Sequence, residues 1–404
     1  YANWTPIGTS TNKFTGTFDG NGHIISGLKT TGTTEYRGLF GYTGSGSHIR
    51  NVSLTGVSVA GGQYTGALIG YCEGNVSNCN ASGTVTGTNG YIGGLIGYVQ
   101  IPAVGSGIAI RDSWTNVTLS ATSSVGGLIG QLKGLNFDNM VVVEDSYSVG
   151  SISGNSYVGG LIGQISDYAD IRYCHAAGNV TGTSGWCGGL IGTVMSPSVS
   201  SSAALRVFVS NSHASGAVSG SSYCGGFIGV NGWYQQSSMT YNSGAHISSS
   251  YATGDVTGTG STVGGFAGYN LRYSVIQDSY ARGNVICTSG SSIGGFVGVN
   301  QSNASVIRSY STGLITAGTS NVGGLIGNNS SATVTASYYD RTTSGRTDTG
   351  KGIPQYTAEM KTQSTFAGWD FTGDPAAGTD AVWAIDSYRI INNGYPYLKG
   401  NMPE

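Results

Sequence analysis

Short runs of alternating apolar and polar residues follow one another along most of the chain, each closed by glycine or a Gly-Thr pair. Period-two alternation between such breakers predicts β-strands and turns. The best helical stretch, 356–363, is short and lies near the end. The pattern is also periodic. The pentad Gly-Gly-Leu-Ile-Gly, or a close variant, recurs with its last glycine at Gly41, Gly70, Gly97, Gly130, Gly163, Gly192, Gly229, Gly268, Gly298 and Gly327. A basal unit near 29 residues carries insertions before its second strand, as at 133–143 and 232–246. No strand in the unit can close its own core, so like segments must stack on like. The expected fold is all-β: a right-handed parallel β-helix of about ten three-strand rungs over residues 1–338. A short irregular C-terminal capping segment, 339–404, is expected to pack on the last rungs. Ten rungs at ~4.8 Å each make a rod of roughly 50 Å.

A second signature fixes which side chains face inward. It is clearest as Asp278-Ser279-Tyr280-Ala281-Arg282-Gly283-Asn284-Val285, and returns as Asp145-Ser146-Tyr147, Asn211-Ser212-His213, Ser249-Ser250-Tyr251 and Arg308-Ser309-Tyr310. Aligned beneath it, Asn51-Val52-Ser53-Leu54 puts apolar residues in the Ser279 and Ala281 columns. Those columns face the core, and strand alternation turns the column between them outward. Its members are Ser53, Asn80, Trp114, Tyr147, His175, His213, Tyr251, Tyr280, Tyr310 and Tyr338. One reading is a stabilising stack in which each ring covers its neighbour. The other is a platform for sugars, whose C–H faces pack on aromatic faces. The candidate ligand-binding residues are therefore Trp114, Tyr147, His175, His213, Tyr251, Tyr280 and Tyr310.

His175 and His213 are neighbours in this column, but no third ligand or orienting carboxylate accompanies them, so no metal site is expected. Cys187 and Cys224 both precede the pentad, where other rungs carry Val or Ile. Adjacent rungs would bring them near disulfide distance, so a bridge or two buried thiols in contact are the alternatives. The other cysteines (Cys72, Cys79, Cys174, Cys287) form no CxxC and cannot be paired from the sequence. A Thr-x-Thr column such as Thr84/Thr86 would suggest ice binding, but Ala217, Ile286 and Leu314 interrupt it.

Composition narrows the function classes. Charged residues are only 9% of the chain and the net charge is −2, with no Lys/Arg cluster, which argues against nucleic-acid binding. No run of ~18 apolar residues could span a membrane as a helix. The start at Tyr1, without Met or a signal-like segment, suggests a removed leader and domains upstream in a longer protein.

Catalysis finds little support. Asp112, Asp145 and Asp278 recur with Asn51, Asn78 and Asn211 as repeat-position residues at a rung edge, not as a gathered acid–base pair. Asp167, Tyr168, Asp170 and Arg172 form the densest mid-chain polar cluster, a weak sugar-site candidate or a solvated turn. Neither His-Glu-x-x-His nor a Gly-x-Ser-x-Gly elbow on an α/β pattern occurs. Asp19-Gly20-Asn21-Gly22 is superficially like a calcium loop and reads equally as a tight turn. No cofactor is expected.

The pentads resemble the GLUG repeat. The opening Trp4-Thr5-Pro6-Ile7-Gly8 and the stretch from Phe14 to Leu28 are similar to the first rung of such domains. Val382-Trp383-Ala384-Ile385 with Gly394-Tyr395-Pro396-Tyr397-Leu398 is similar to their C-terminal segment. The resemblance implies a bacterial secreted or cell-surface protein, because such repeats occur in adhesins and beside IgA-specific metallopeptidase domains. It assigns no catalytic residue. The expected function is a non-catalytic adhesin-like or spacer module, with a glycan or host-surface ligand as partner. The alternative is a polysaccharide-cleaving β-helix enzyme, lyase or glycoside hydrolase. Its groove would be built by loops 133–143, 194–206 and 230–247, gathered beside His175 and His213.

Overall fold

The computed structural model describes residues 3–103, 106–195, 207–232, 244–318, 320–372 and 381–403. The chain winds into stacked coils, a parallel β-solenoid of about ten turns. Each coil contributes to three sheets. The first has eleven short strands, from Thr17–Asp19 to Thr333–Thr335. The second has twenty-five and begins with Ile24–Ser26 and Lys29–Thr30; the third has ten, from Phe40–Thr43 to Ile326–Ser330. Neighbouring coils pair in parallel, and identical repeat positions face each other, as in Tyr251↔Tyr280 and Ala252↔Ala281.

Two backbone corners recur from coil to coil. Between the first and second sheets stand Asn51, Asn78, Asp112, Asp145, Tyr173, Asn211, Ser249, Asp278, Arg308 and Ala336, with φ from +43° to +56°. This left-handed region favours Asn and Asp, which explains the recurring Asp/Asn position. A second left-handed corner precedes the pentad, at Tyr64, Tyr91, Tyr157, Trp186 and Tyr223 among others. The pentad itself is dictated by close approach of coil to coil. A Cβ on Gly160 would lie 2.0 Å from the Gly189 carbonyl oxygen, and one on Gly163 would lie 2.5 Å from the Val125 nitrogen.

Inside, the columns are mostly Val, Ile, Leu and Phe, fully buried from Leu39 to Leu325. Two polar ladders interrupt them. In the first, Ser279 Oγ donates to the Gln277 carbonyl at 2.7 Å and accepts from Ser250 N–H at 3.3 Å, while Ser279 N–H donates to Ser309 Oγ. Ser113, Ser146, Ser212, Ser250, Ser309 and Ser337 donate in the same way to the carbonyl two residues earlier. The serine hydroxyls thus satisfy carbonyls and N–H groups that the corner would otherwise leave unpaired. The second ladder runs through Asn231, Asn270, Asn300 and Asn329, each side-chain amide donating to the next carbonyl oxygen at 2.9–3.1 Å.

The C-terminal residues leave the repeat. Asp340 caps a one-turn helix, Arg341–Ser344, and Ile353–Gln355 pairs in parallel with Tyr338–Asp340. Where a helix was expected at 356–363, two 3-10 turns form, Glu359–Lys361 and Gln363–Thr365. Trp383–Ala384 and Tyr397–Leu398 form an antiparallel pair. Trp383 and Leu398, with Met360, Phe366, Trp369, Phe371 and Tyr395, build a second apolar cluster over Tyr251, Tyr280, Tyr310 and Tyr338.

Candidate functional site

The outward column exists in one unbroken register: Ser53, Asn80, Trp114, Tyr147, His175, His213, Tyr251, Tyr280, Tyr310, Tyr338. From Trp114 to Tyr310 the rings lie parallel within 10°, their centroids 4.6–5.8 Å apart. Such stacking is attractive and shields the sheet. It also changes what the column offers, because each interior ring spends both faces on its neighbours. A sugar could meet only ring edges there.

The seven candidates also differ in access. Trp114, Tyr147, His175 and His213 are half-buried. Tyr251, Tyr280 and Tyr310 are no more than 1% exposed, because the C-terminal segment lies over them. The reading of these three as a ligand platform is corrected accordingly: they form the floor of an intramolecular contact. Tyr251 OH donates to the Met402 carbonyl at 3.1 Å and Tyr310 OH to that of Pro396 at 2.6 Å. Arg282 reaches Asn392 at 2.6 Å, and Trp383 Nε1 reaches Asp278 at 3.2 Å. His213 Nδ1 lies 3.2 Å from Asn401 Oδ1, at the end of this cover. Among the described residues, no group of three His, Cys, Asp or Glu could hold a metal ion.

Cys187 and Cys224 face each other in register, both buried and both free thiols. In a parallel ladder the paired Cα–Cβ bonds run side by side, which holds Cβ atoms near the ~4.8 Å strand spacing and beyond the ~3.8 Å that a disulfide prefers. The Cys187 sulfur in contact, and then burial, push the Cys224 thiol well above its ordinary value. Cys79 and Cys174 turn out to be members of the serine ladder. Their backbone N–H groups donate to Ser113 Oγ and Ser212 Oγ, and each Sγ donates at 3.3 Å to the carbonyl two residues earlier. Burial pushes both thiols up to about 12.

Asp170, Arg172, Glu144 and Arg111 do come together, as a charge ladder across coils with contacts of 2.6, 2.7 and 2.9 Å. Arg172 above all holds the Glu144 carboxyl below its ordinary value. Loop 133–143 sits at the turn between the third and first sheets, with Phe137 at its tip against Tyr168 at 5.4 Å. His175 and His213 belong to the second sheet, beyond the left-handed corner, so this loop does not gather beside them. Residues 196–206 and 233–243, most of the other two loops, lie outside the described residues. Asp19 ties a turn: it accepts from Asn21 N–H, Asn51 and Arg50 at 2.8–3.0 Å.

A second aromatic tract escaped the sequence reading. Tyr36, Tyr64 and Tyr91 stack at the corner before the pentad, 5.1 and 5.3 Å apart, and Tyr157, Trp186 and Tyr223 resume the column at 4.9 and 5.6 Å. Tyr42, Tyr71 and Tyr98 run beside the first three, on the third sheet. The signal was present: an aromatic stands six residues before the last pentad glycine in five units, and Tyr follows that glycine in four. At this tract Glu73, 8% exposed, accepts from Tyr42 OH at 2.7 Å and Lys13 Nζ at 2.8 Å. Burial, and then the Glu73 bond, raise the Tyr42 hydroxyl well above its ordinary value; burial lifts that of Tyr71 to about 12.

A single rod of coils, each touching only its neighbours, defines a β-solenoid repeat protein. The GLUG motif family's model matches residues 154–181 and 259–286, so the chain carries the GLUG motif in those two stretches. Similar relatives include a Gly-rich membrane protein of Evansella cellulosilytica, 43% identical over 121 residues, which is 28% of this chain and 13% of that protein. Halomucin of Haloquadratum walsbyi is 40% identical over 86 residues, 21% of this chain and 1% of that protein. The chain thus matches only a small part of the length of either relative. No solved structure matches it. Among the described residues, no helix is long and apolar enough to cross a membrane.

Proposed function

We propose that the chain is a non-catalytic surface or spacer module of a larger secreted or surface-displayed protein, and that it contacts glycans along the accessible end of its aromatic column. The spacer part rests on one observation: rung-to-rung pairing continues from Thr17 to Gln355, which makes a rod of set length. The surface placement draws on the names of the two relatives, a membrane protein and a halomucin. The adhesin-like role extends the same reading, since a rod holds whatever lies along it away from its base. Mid-chain carboxylates stand in the charge ladder of Asp170, Arg172, Glu144 and Arg111, an arrangement suited to holding coils together rather than to acid–base turnover.

The test combines a glycan-array screen with lyase and hydrolase assays on the bound glycans. Binding without turnover is the expected result. Release of unsaturated uronates or reducing ends by the purified chain would overturn the non-catalytic reading.

A further inference from the structure

A stack of rings presents an open face only where it ends. At its far end the ladder runs beneath the C-terminal segment. At the other end stands Trp114, half-buried, with Tyr147 parallel to one face at 5.8 Å. Its register neighbour on the other side is Asn80, whose short side chain cannot cover an indole. Ser53 Oγ donates to Asn80 Oδ1 at 2.9 Å, which ties that amide to the preceding coil, away from the ring.

On the three coils before Trp114 lies a depression of about 330 Å³, bordered by Ile24, Asn51, Val52, Ser53, Asn78 and Asn80, and Trp114 adjoins it through its register partner Asn80. Its polar groups are hydroxyl and amides. Asn78 Nδ2 donates to Asn51 Oδ1 at 2.8 Å, and Asn51 Nδ2 donates in turn to Asp19 at 2.9 Å, so the amides are held in place before any ligand arrives. Ile24, 63% exposed, adds an apolar wall. An aromatic face beside fixed neutral donors and acceptors suits a ligand with one C–H face and a rim of hydroxyls. No Lys or Arg borders the depression, so it offers a carboxylate no opposite charge.

We propose that Trp114, with Ser53, Asn78 and Asn80, forms a subsite for an uncharged pyranoside at the end of a neutral oligosaccharide. This deepens the glycan-contact reading above and rests on it. The ring of one sugar unit lies on the open indole face, and its hydroxyls exchange hydrogen bonds with the amides of the two preceding coils.

The experiment is an array of neutral gluco-, galacto- and manno-oligosaccharides beside uronate oligosaccharides, probed with the intact chain, followed by calorimetry on the strongest neutral hit. Trp114→Ala is expected to weaken that hit by roughly tenfold or more. Trp114→Phe keeps a ring face and should recover part of the loss, and Asn80→Ala should weaken binding several-fold. Trp114 faces outward, and thermal melting checks that each variant remains folded. Undiminished neutral-sugar binding by Trp114→Ala overturns the subsite while the glycan-contact reading stands. Binding confined to uronates also overturns it. If the unaltered chain binds no glycan at all, both the subsite and the glycan contact fall, and only the spacer role remains.

Discussion

Tyr310 and Pro396 are joined by a hydrogen bond of 2.6 Å between the ring hydroxyl and the backbone carbonyl, across 86 residues of chain. The same hydroxyl accepts from Asn392 at 2.7 Å, and the site is fully buried. Tyr310→Phe removes two buried hydrogen bonds but leaves Asn392 Nδ2 donating to the Pro396 carbonyl at 2.6 Å, so the loss should be about 0.5–1.5 kcal/mol for each bond removed. Chemical denaturation should report that loss. Trp383→Ala empties the middle of the same cluster and should cost about 3–5 kcal/mol. Unchanged stability in both variants would show that the segment is not docked on the ladder.

The serine ladder makes a sharper prediction. Ser279→Ala strands the Ser250 N–H and the Gln277 carbonyl, so it should destabilise by about 1–3 kcal/mol although the change in size is small. Ser279→Cys should recover part of this, because the Cys79 and Cys174 thiols already donate to the carbonyl two residues earlier in that column. Melting temperatures of the two variants side by side decide it.

What could be read from the chain in advance was whatever the repeat makes identical. The register, the inward pentad columns and the outward column from Ser53 to Tyr338 all follow from unit length and alternation. The cover over Tyr251, Tyr280 and Tyr310 was hidden, since residues past 339 share no spacing with any coil and their partners lie up to 189 residues away. Cys79 and Cys174 were missed for a different reason: a thiol that stands in for a hydroxyl is visible only once Ser113 and Ser212 are seen donating the same bond one coil on. The near-parallel stacking of successive rings, which leaves interior members only their edges, is likewise geometry that no sequence displays.

Close approach within the pentad can be tested by one methyl group. Gly160→Ala drives a Cβ to 2.0 Å from a backbone oxygen, and coils on both sides must shift; folding yield should collapse or stability fall by more than about 3 kcal/mol. Gly90→Ala meets nothing nearer than 3.7 Å and should melt with the unaltered chain. Equal melting of the two would contradict the stacking described.

Alkaline pH should weaken the fold. Burial pushes Cys72 to about 11 and Cys79 and Cys174 to about 12, above the ~8.5 of a thiol in the unfolded chain. The folded state therefore holds these protons longer, its stability is complete below about pH 8.5, and stability declines as pH rises from there through 11 to 12. The buried hydroxyls of Tyr280 and Tyr310, also raised by burial, act in the same direction. Denaturation midpoints falling steadily across that range, with thiol reagents reacting only on unfolding, are the expected observation. Prompt labelling of all six cysteines in the native protein would refute it.

Among the described residues, the C-terminal cover lies over the column from His213 to Tyr338, so the two halves of the rod wear different coats. One end is sealed by tryptophan and tyrosine, and the other shows ring edges and amides to water. The molecule therefore has a direction. Turned end for end it would offer a different skin to anything approaching from the side, so any array of such rods would have to respect polarity as an arrow does.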